Sequence, residues 1–313
     1  MGAVLIGDPD TTFFRQEFIL TVMSESTNQP QDDEPSYHRR LIGDGGDPAP
    51  ENRPPRGKGR VGVITGGGSG IGASIGRWLA REGSDVVLAD VDVAAAEETA
   101  REVDARAGGS VRAHRVDVTE ESSVESLVES VRSQEGRLDY LFANAGVSGP
   151  ITLDETGYEE WRSVLGVNLD GVFLSVRKSL PLLERGRDPS HVVVTSSISG
   201  RKPKPVMIPY RTSKAAAIML TRCLAAELGP DVRVNALCPS SIETPMLRDN
   251  YERRAAEQGL SVEEFIERRE EELPLGRSPT REDLLQVLDF LLFQNGFVTG
   301  QEFHIDGGGY QAL

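Results

Sequence analysis

At 313 residues, 38% hydrophobic and 27% charged, the chain has the size and apolar content for one globular domain with a large core, plus a tail. Lysine and arginine number 34 against 49 aspartates and glutamates, a net charge of −15, which argues against partners that need a basic surface, nucleic acid and anionic membranes among them. No apolar run reaches the ~18–20 residues of a membrane-spanning helix, and two cysteines within apolar patterns, Cys223 and Cys238, argue against a disulfide framework and for a reduced, cytoplasmic setting.

Residues 1–59 differ in composition from the rest. Phe13, Phe14, Phe18, Ile19 and Leu20 suggest a short helix or strand, but no basic segment or small-residue cleavage site marks a secretory signal. The composition leaves translation from Met23, without residues 1–22, as an expectation to be tested by N-terminal sequencing of the native protein. From Ser24 to Lys58, Pro, Gly, Asp, Glu, Asn and Gln dominate, the composition of a solvated, disordered extension.

From Arg60 to the end, one folded domain is expected, in which strands and helices alternate. The β-branched run Val61–Ile64 reads as a buried strand. It breaks into a glycine cluster, and Ile71, Ile75, Trp78 and Leu79 then recur at helical spacing. Strands are expected at Asp85–Ala89, Val111–Val116, Leu138–Phe142, His191–Thr195, Val232–Ala236 and Glu302–Ile305. The intervening helices are Val93–Ala107, Glu120–Ser133, a long one over Tyr158–Leu183, Tyr210–Leu228 and Glu282–Phe293. Apolar strands alternating with helices point to a parallel sheet covered on both faces. The four histidines (His38, His114, His191, His304) show no ligand spacing, so no metal site is expected.

Strand, glycine turn and helix are the context in which a glycine motif binds a nucleotide. Gly66, Gly70 and Gly72 permit a tight turn and close approach of a pyrophosphate to bare backbone at a helix start. Here Thr65-Gly66 is followed by three residues and then Gly70-Ile71-Gly72. This Thr-Gly-x-x-x-Gly-x-Gly form resembles the classical short-chain dehydrogenase/reductase family. The resemblance runs from about Arg60 to Gly309. It implies a single Rossmann-type domain, a doubly wound parallel sheet in three α/β/α layers, with a small helical lid at about 245–276.

The resemblance also implies a cofactor site. Ser69, Gly70 and Ile71 would meet the nucleotide at the helix start. Asp90 ends the second strand, 18 residues after Gly72, where a carboxylate can bind ribose hydroxyls and repel a 2′-phosphate. With Val91 and Asp92 following, and Ser69 rather than a basic residue before Gly70, NAD is expected in preference to NADP. Asp117-Val118 matches the family's adenine-contacting pair, and Asn144-Ala145-Gly146 its Asn-Ala-Gly turn, with Ala143 where an asparagine is more usual. Pro239 to Pro245 matches the segment that cradles nicotinamide, with Ser240 in place of the usual glycine. Ile242 and Thr244 are its expected contacts.

For catalysis, Tyr210 and Lys214 stand at i and i+4, on one face of a helix. A nearby cation, together with the positive charge of NAD's nicotinamide, would favour phenolate, lower the phenol's pKa and let it act as general base in oxidation and general acid in reduction. Ser197 ends a strand 13 residues before Tyr210 and would polarise the substrate oxygen. Family spacing selects it over Ser196. Asn168 matches the family's helix asparagine, which helps hold a proton-conducting water chain. The implied reaction is hydride transfer between nicotinamide and a secondary alcohol or ketone, by a homodimer or homotetramer. Alternatives are a 3-oxoacyl-thioester (acyl-carrier) reductase, and a catalytically silent NAD-binding protein.

In the expected lid, Arg248, Asn250 and Tyr251 are candidate lid contacts to the pocket or, equally, part of a charged, solvated helix face, and Ser261 to Glu264 reads as a capping box. The loop Gly200–Pro209 carries Arg201, Lys202 and Lys204. It reads as an ordinary surface loop, with binding of an anionic substrate group as the alternative.

Overall fold

A computed structural model describes residues 54–103, 108–187 and 189–309. The expected short element at Phe13–Leu20 and the solvated segment up to residue 53 lie outside the described residues. Residues 54–59 are held to the domain, where Arg56 pairs with Glu82 and Asp289.

Seven parallel strands form one sheet, in the order β3-β2-β1-β4-β5-β6-β7. They are β1 Val61–Thr65, β2 Asp85–Asp90, β3 Val111–Arg115, β4 Tyr140–Ala143, β5 Ser190–Thr195, β6 Val232–Pro239 and β7 Glu302–Ile305. The strand order reverses between β1 and β4. A crevice opens there at the carboxyl ends of the strands, the position where open α/β sheets bind ligands.

Side-chain alternation along the strands explains the three layers. Val61, Val63, Leu141, Val192 and Val194 face one core. Against them pack Val124, Leu127 and Val131 of α3 (Glu121–Gln134), Val172 and Val176 of α5 (Gly171–Leu183), and Ala217 of α6 (Ile208–Leu228). Ile64, Leu88, Tyr140, Phe142 and Val193 face the other core. It is closed by Ile75 and Leu79 of α1 (Gly70–Arg81) and Leu284 and Leu288 of α9 (Arg281–Asp289). This is the doubly wound architecture expected from the alternating pattern.

Several boundaries moved. The helix expected to reach Ala107 is α2, Val93–Glu102, and residues 104–107 lie outside the described residues. Leu138 and Asp139 precede β4 because the Asp139 carboxylate is used as a clamp. Fully buried, it accepts the Val61 and Arg187 N–H groups at 2.7 and 2.6 Å. The long helix is α4 (Tyr158–Leu165) and α5 joined by a π turn at Gly166–Asp170, so its register shifts at Asn168. Such turns concentrate at functional sites.

The segment expected to form a lid holds two helices, α7 (Pro245–Glu257) and α8 (Val262–Glu271), and the Ser261–Glu264 capping box is formed. A second box, Thr280–Asp283, starts α9. Asp283 is held at about 2, first by its pair with Arg277 and then by the Thr280 bonds. Its folded pKa lies below the unfolded value, so its contribution is present above pH ~4 and lost as pH falls toward 2. Asp283→Ala is expected to cost about 1 kcal/mol at neutral pH. In thermal melts the gap to the parent should narrow on acidification; a gap independent of pH would contradict the assignment.

Candidate active site

The crevice deepens into a cavity of about 820 Å³ that runs from the tip of β2, past β4 and β5, to the lid. At one end the chain leaves β1 through Gly66, whose φ of 66° is left-handed and whose missing Cβ would sit 2.9 Å from the Ala145 Cα. A Cβ on Gly72 would lie 2.0 Å from the Gly66 carbonyl, so α1 starts hard against the turn. Ser69, the residue before α1, makes no side-chain cap, so it offers no hydroxyl acceptor to the first-turn N–H groups at this cavity-lining helix start. Ser69, Gly70 and Ile71 line this end with Asp90.

The Asp90 carboxylate is fixed by backbone: Gly68 N–H donates at 2.8 Å and Asp92 N–H at 3.0 Å. One strand further out, Asp117 accepts both the N–H and the hydroxyl of Thr119, and those bonds hold its carboxyl below the usual range. Val118 is buried beside it and also lines the cavity.

Two expected cofactor residues do not line the cavity. Thr65 is buried inside the sheet, its hydroxyl donating to the Phe142 carbonyl and accepting from the Asn144 and Ala145 N–H groups. Gly72 is used for helix packing. Asn144 ties the strand ends together. Its amide donates to the Thr65 and Gly66 carbonyls at 3.1 Å, and its carbonyl accepts from the Thr195 hydroxyl at 3.0 Å. Ala145 and Gly146 line the cavity floor beside it.

The polar centre of the cavity is built by β5, the first turns of α6, and the π turn. Ser196 and Ser197 differ in their partners. The Ser196 hydroxyl is spent on the Lys214 carbonyl at 2.8 Å. The Ser197 hydroxyl accepts the Ser199 N–H at 3.1 Å, donates to the Pro239 carbonyl at 3.5 Å, and stands near enough to the Tyr210 phenol to favour its ionised form.

Because α6 begins at Ile208, Tyr210 sits in its first turn and Lys214 one turn on. The Lys214 ammonium is 5.8 Å from the Tyr210 ring centroid and donates to the Thr195 carbonyl at 2.8 Å. Burial pushes the Lys214 ammonium down to about 8. The lowered phenol pKa expected from a neighbouring cation is not found. Burial raises Tyr210 above the usual phenol range, and the neighbouring Ser197 hydroxyl offsets only part of that rise. The cause is burial, which disfavours the charged phenolate, while the Lys214 ammonium, 5.8 Å from the ring centroid, directs one N–H to the Thr195 carbonyl.

Asn168 is fully buried and does not line the cavity. Its side chain exchanges two hydrogen bonds with the Val147 backbone, at 2.8 and 2.9 Å, and donates to the Ser213 hydroxyl at 3.0 Å. Ser213 in turn donates to the Tyr210 carbonyl at 2.8 Å. The π turn therefore supports the tyrosine turn and the Asn-Ala-Gly turn from behind.

Opposite lies the β6–α7 segment. Pro239 and Ile242 line the wall, and the Thr244 hydroxyl caps α7 by accepting the Leu247 N–H at 3.2 Å. The Ser240 hydroxyl is buried in this wall without a hydrogen-bond partner. Glycine turn, uncapped helix start, ribose-height carboxylate and unpartnered hydroxyl together fit a dinucleotide lying along the cavity.

A family profile described as enoyl-(acyl carrier protein) reductase matches residues 66–310. The chain is 35% identical to the 3-oxoacyl-[acyl-carrier-protein] reductase of Thermotoga maritima, over 80% of this chain and 98% of that one. The chain belongs to the classical short-chain dehydrogenase/reductase family. A solved levodione reductase superposes with a TM-score of 0.77 at 31% identity, covering 82% of this chain and all of the other. An NAD+-bound xylitol dehydrogenase does so with 0.75 at 30% identity, covering 81% and 100%. This short-chain dehydrogenase is thus an NAD(P)-dependent oxidoreductase acting on CH–OH groups. No helix among its described residues is long and apolar enough to cross a membrane.

At the far end of the cavity Asn250 and Tyr251 line the wall, whereas Arg248 points to solvent and pairs with Glu252 at 3.4 Å. Sequence reasoning missed Arg254 and Arg269, which also line it. Arg254 was within reach of the pattern, standing one turn after Asn250. Arg269 was not, because it arrives from α8 through the Tyr251–Phe265 ring contact at 5.2 Å. The β6–β7 edge brings Cys238, Glu302 and His304 together, with ligand atoms within 4.8 Å. There the Glu302 carboxylate is already engaged by Arg201 and Arg222, which offsets its charge.

Proposed function

We propose that the chain is an NAD-dependent dehydrogenase that interconverts a secondary alcohol and its ketone. The observation that carries the reading is the convergence of the Ser197 hydroxyl, the Tyr210 phenol and the Lys214 ammonium on one cavity whose far end holds the glycine turn and Asp90. Ser69, Gly70, Ile71 and Thr244 would hold the pyrophosphate; Asp117, Val118, Ala145 and Gly146 would lie along the adenosine. Asp90 would take the ribose, and Pro239 and Ile242 the nicotinamide. When bound, the nicotinamide supplies or accepts a hydride at C4 and, oxidised, adds a positive charge near the phenol.

The remaining chemistry belongs to the protein. Ser197 donates to the substrate oxygen and stabilises its developing charge. Tyr210 takes the hydroxyl proton in oxidation and returns it in reduction. Lys214 holds a positive charge at the end of the Thr195 carbonyl and, in this reading, favours phenolate as the site fills. Asn168 is a positioning residue, acting through Ser213 and Val147. NAD over NADP follows from the Asp90 carboxylate, and small-molecule turnover by a dimer or tetramer from the family.

NADH formation from NAD with secondary alcohols, hydroxy acids and sugars, repeated with NADP, tests the reading. Turnover with NAD is expected; binding of NADH with no turnover of any alcohol or ketone would favour a silent protein. The reductase of Thermotoga maritima favours a second reading, reduction of a 3-oxoacyl thioester, which predicts NADPH-driven turnover of acyl thioesters above that of simple ketones.

The pH profile has a definite sign. Oxidation needs the phenolate, and burial raises the phenol's pKa, so kcat/KM for oxidation should climb with pH through the alkaline range. Reduction should hold level and fall only at the alkaline end. Oxidation declining as pH rises above neutral would remove Tyr210 as the base.

A further inference from the structure

We infer that the substrate of this site carries an anionic group, carboxylate or phosphate, received by Arg254 and Arg269 of the lid. The inference rests on the dehydrogenase reading above and names the substrate class within it.

Charge is sorted along the cavity against the trend of the molecule. The chain as a whole carries −15. At the nucleotide end the lining charges are Asp90 and Asp117. At the lid end they are Lys202, Lys204, Arg211, Arg254 and Arg269, against the single acid Glu257.

Two of these cations are committed elsewhere. Lys202 donates to the Gly309 carbonyl, and Arg211 donates to the Val206 and Lys202 carbonyls, at 2.8 and 2.6 Å, holding the loop before α6. Arg254 and Arg269 differ. Among the described residues neither has a carboxylate at ion-pair distance, whereas Arg56, Arg112, Arg201 and Arg277 all do.

The two guanidiniums are held by rings instead. Arg254 lies 5.1 Å and Arg269 5.9 Å from the Phe265 centroid; Arg269 is also 5.7 Å from that of Tyr251 and donates to its hydroxyl at 3.3 Å. Cation–π contact fixes a guanidinium without neutralising it and leaves the N–H fork open. Crowding is felt in the proton affinities. Arg254 is lowered first by burial and then by Arg269, and Lys202 by burial and then by Lys204, with Arg269 and Arg211 adding to it. Two like charges share one ring, half-buried; Glu257 acts on Arg254, but among the described residues no carboxylate stands at ion-pair distance from either guanidinium, so the pair is left short of negative charge. A planar fork facing a concave wall suits a carboxylate or phosphate.

The test is calorimetric titration of the NADH-loaded enzyme with octanoate, hexyl phosphate and octanol, in the parent, Arg254→Gln and Arg269→Gln. Octanoate or hexyl phosphate should bind the parent at least about tenfold more tightly than octanol, and whichever binds better identifies the group. Each substitution should weaken that ligand by about tenfold or more, as loss of a charge-assisted pair does. Octanol and NADH affinities should stay within about twofold, which certifies that the variants are folded. Equal binding of the three ligands by the parent, or unchanged anion affinity in both variants, would overturn the inference. Anion binding lost in the variants, with no alcohol oxidised by the parent, would sink the dehydrogenase reading and leave the anion site standing.

Discussion

Tyr210→Phe is expected to lower kcat for alcohol oxidation by about a thousandfold while leaving NADH affinity within about twofold, since a positioned acid–base group contributes roughly 10²–10⁴-fold. The ring itself is retained, so the packing of the first turn of α6 and the Lys214 contact to the Thr195 carbonyl are undisturbed. What is lost is the hydroxyl that meets Ser197. With no proton acceptor at that point, the substrate hydroxyl must give its proton to water in a cavity lined by protein. Because the effect should fall on kcat with NADH binding preserved, a misfolded variant is distinguishable from an inactive one. Near-parental turnover would show that another group takes the proton and that the Ser–Tyr–Lys convergence has been misread.

The second large effect concerns cofactor choice. Asp90→Asn should reduce the preference for NAD over NADP, measured as a ratio of kcat/KM values, by about a hundredfold. A carboxylate about 4 Å from a phosphate charge is repelled by roughly 4 kcal/mol at an effective dielectric near 20. Removing that charge therefore releases enough energy for a change of this size. Asparagine keeps an oxygen that can still accept the Gly68 N–H, which Asp90 accepts at 2.8 Å, so the glycine turn should hold its shape. The gain should appear mainly in KM for NADP. If the parent already uses both cofactors equally, Asp90 does not discriminate, and the choice must be made by other residues around the adenosine.

Much of this molecule was legible in its residues. The β-branched runs, the glycine turn after β1 and the helical recurrence of Ile75 and Leu79 are local signals, set by steric limits and by the period of the backbone. They do not depend on what the chain later meets. The order of Asp90, Asn144, Ser197, Tyr210 and Lys214 along the chain was likewise enough to imply the family.

Other features were decided only when distant elements met. Thr65, expected at the cofactor, became a sheet-internal link because the Asn144 and Ala145 N–H groups needed an acceptor. The spacing of i and i+4 places Lys214 near the Tyr210 phenol but carries no information on burial, which raises the phenol pKa. The candidate anion site shifted in the same way. Arg201 is drawn off to Glu302 on β7, and Lys202 to Gly309. Two arginines from separate lid helices are brought together instead by the contact of Tyr251 with Phe265. Local sequence determined the elements and their chemistry because propensity and periodicity act over a few residues. Which side chains share a cavity, and which are already spent on one another, was settled by tertiary packing, since burial and pairing depend on neighbours far away in the chain.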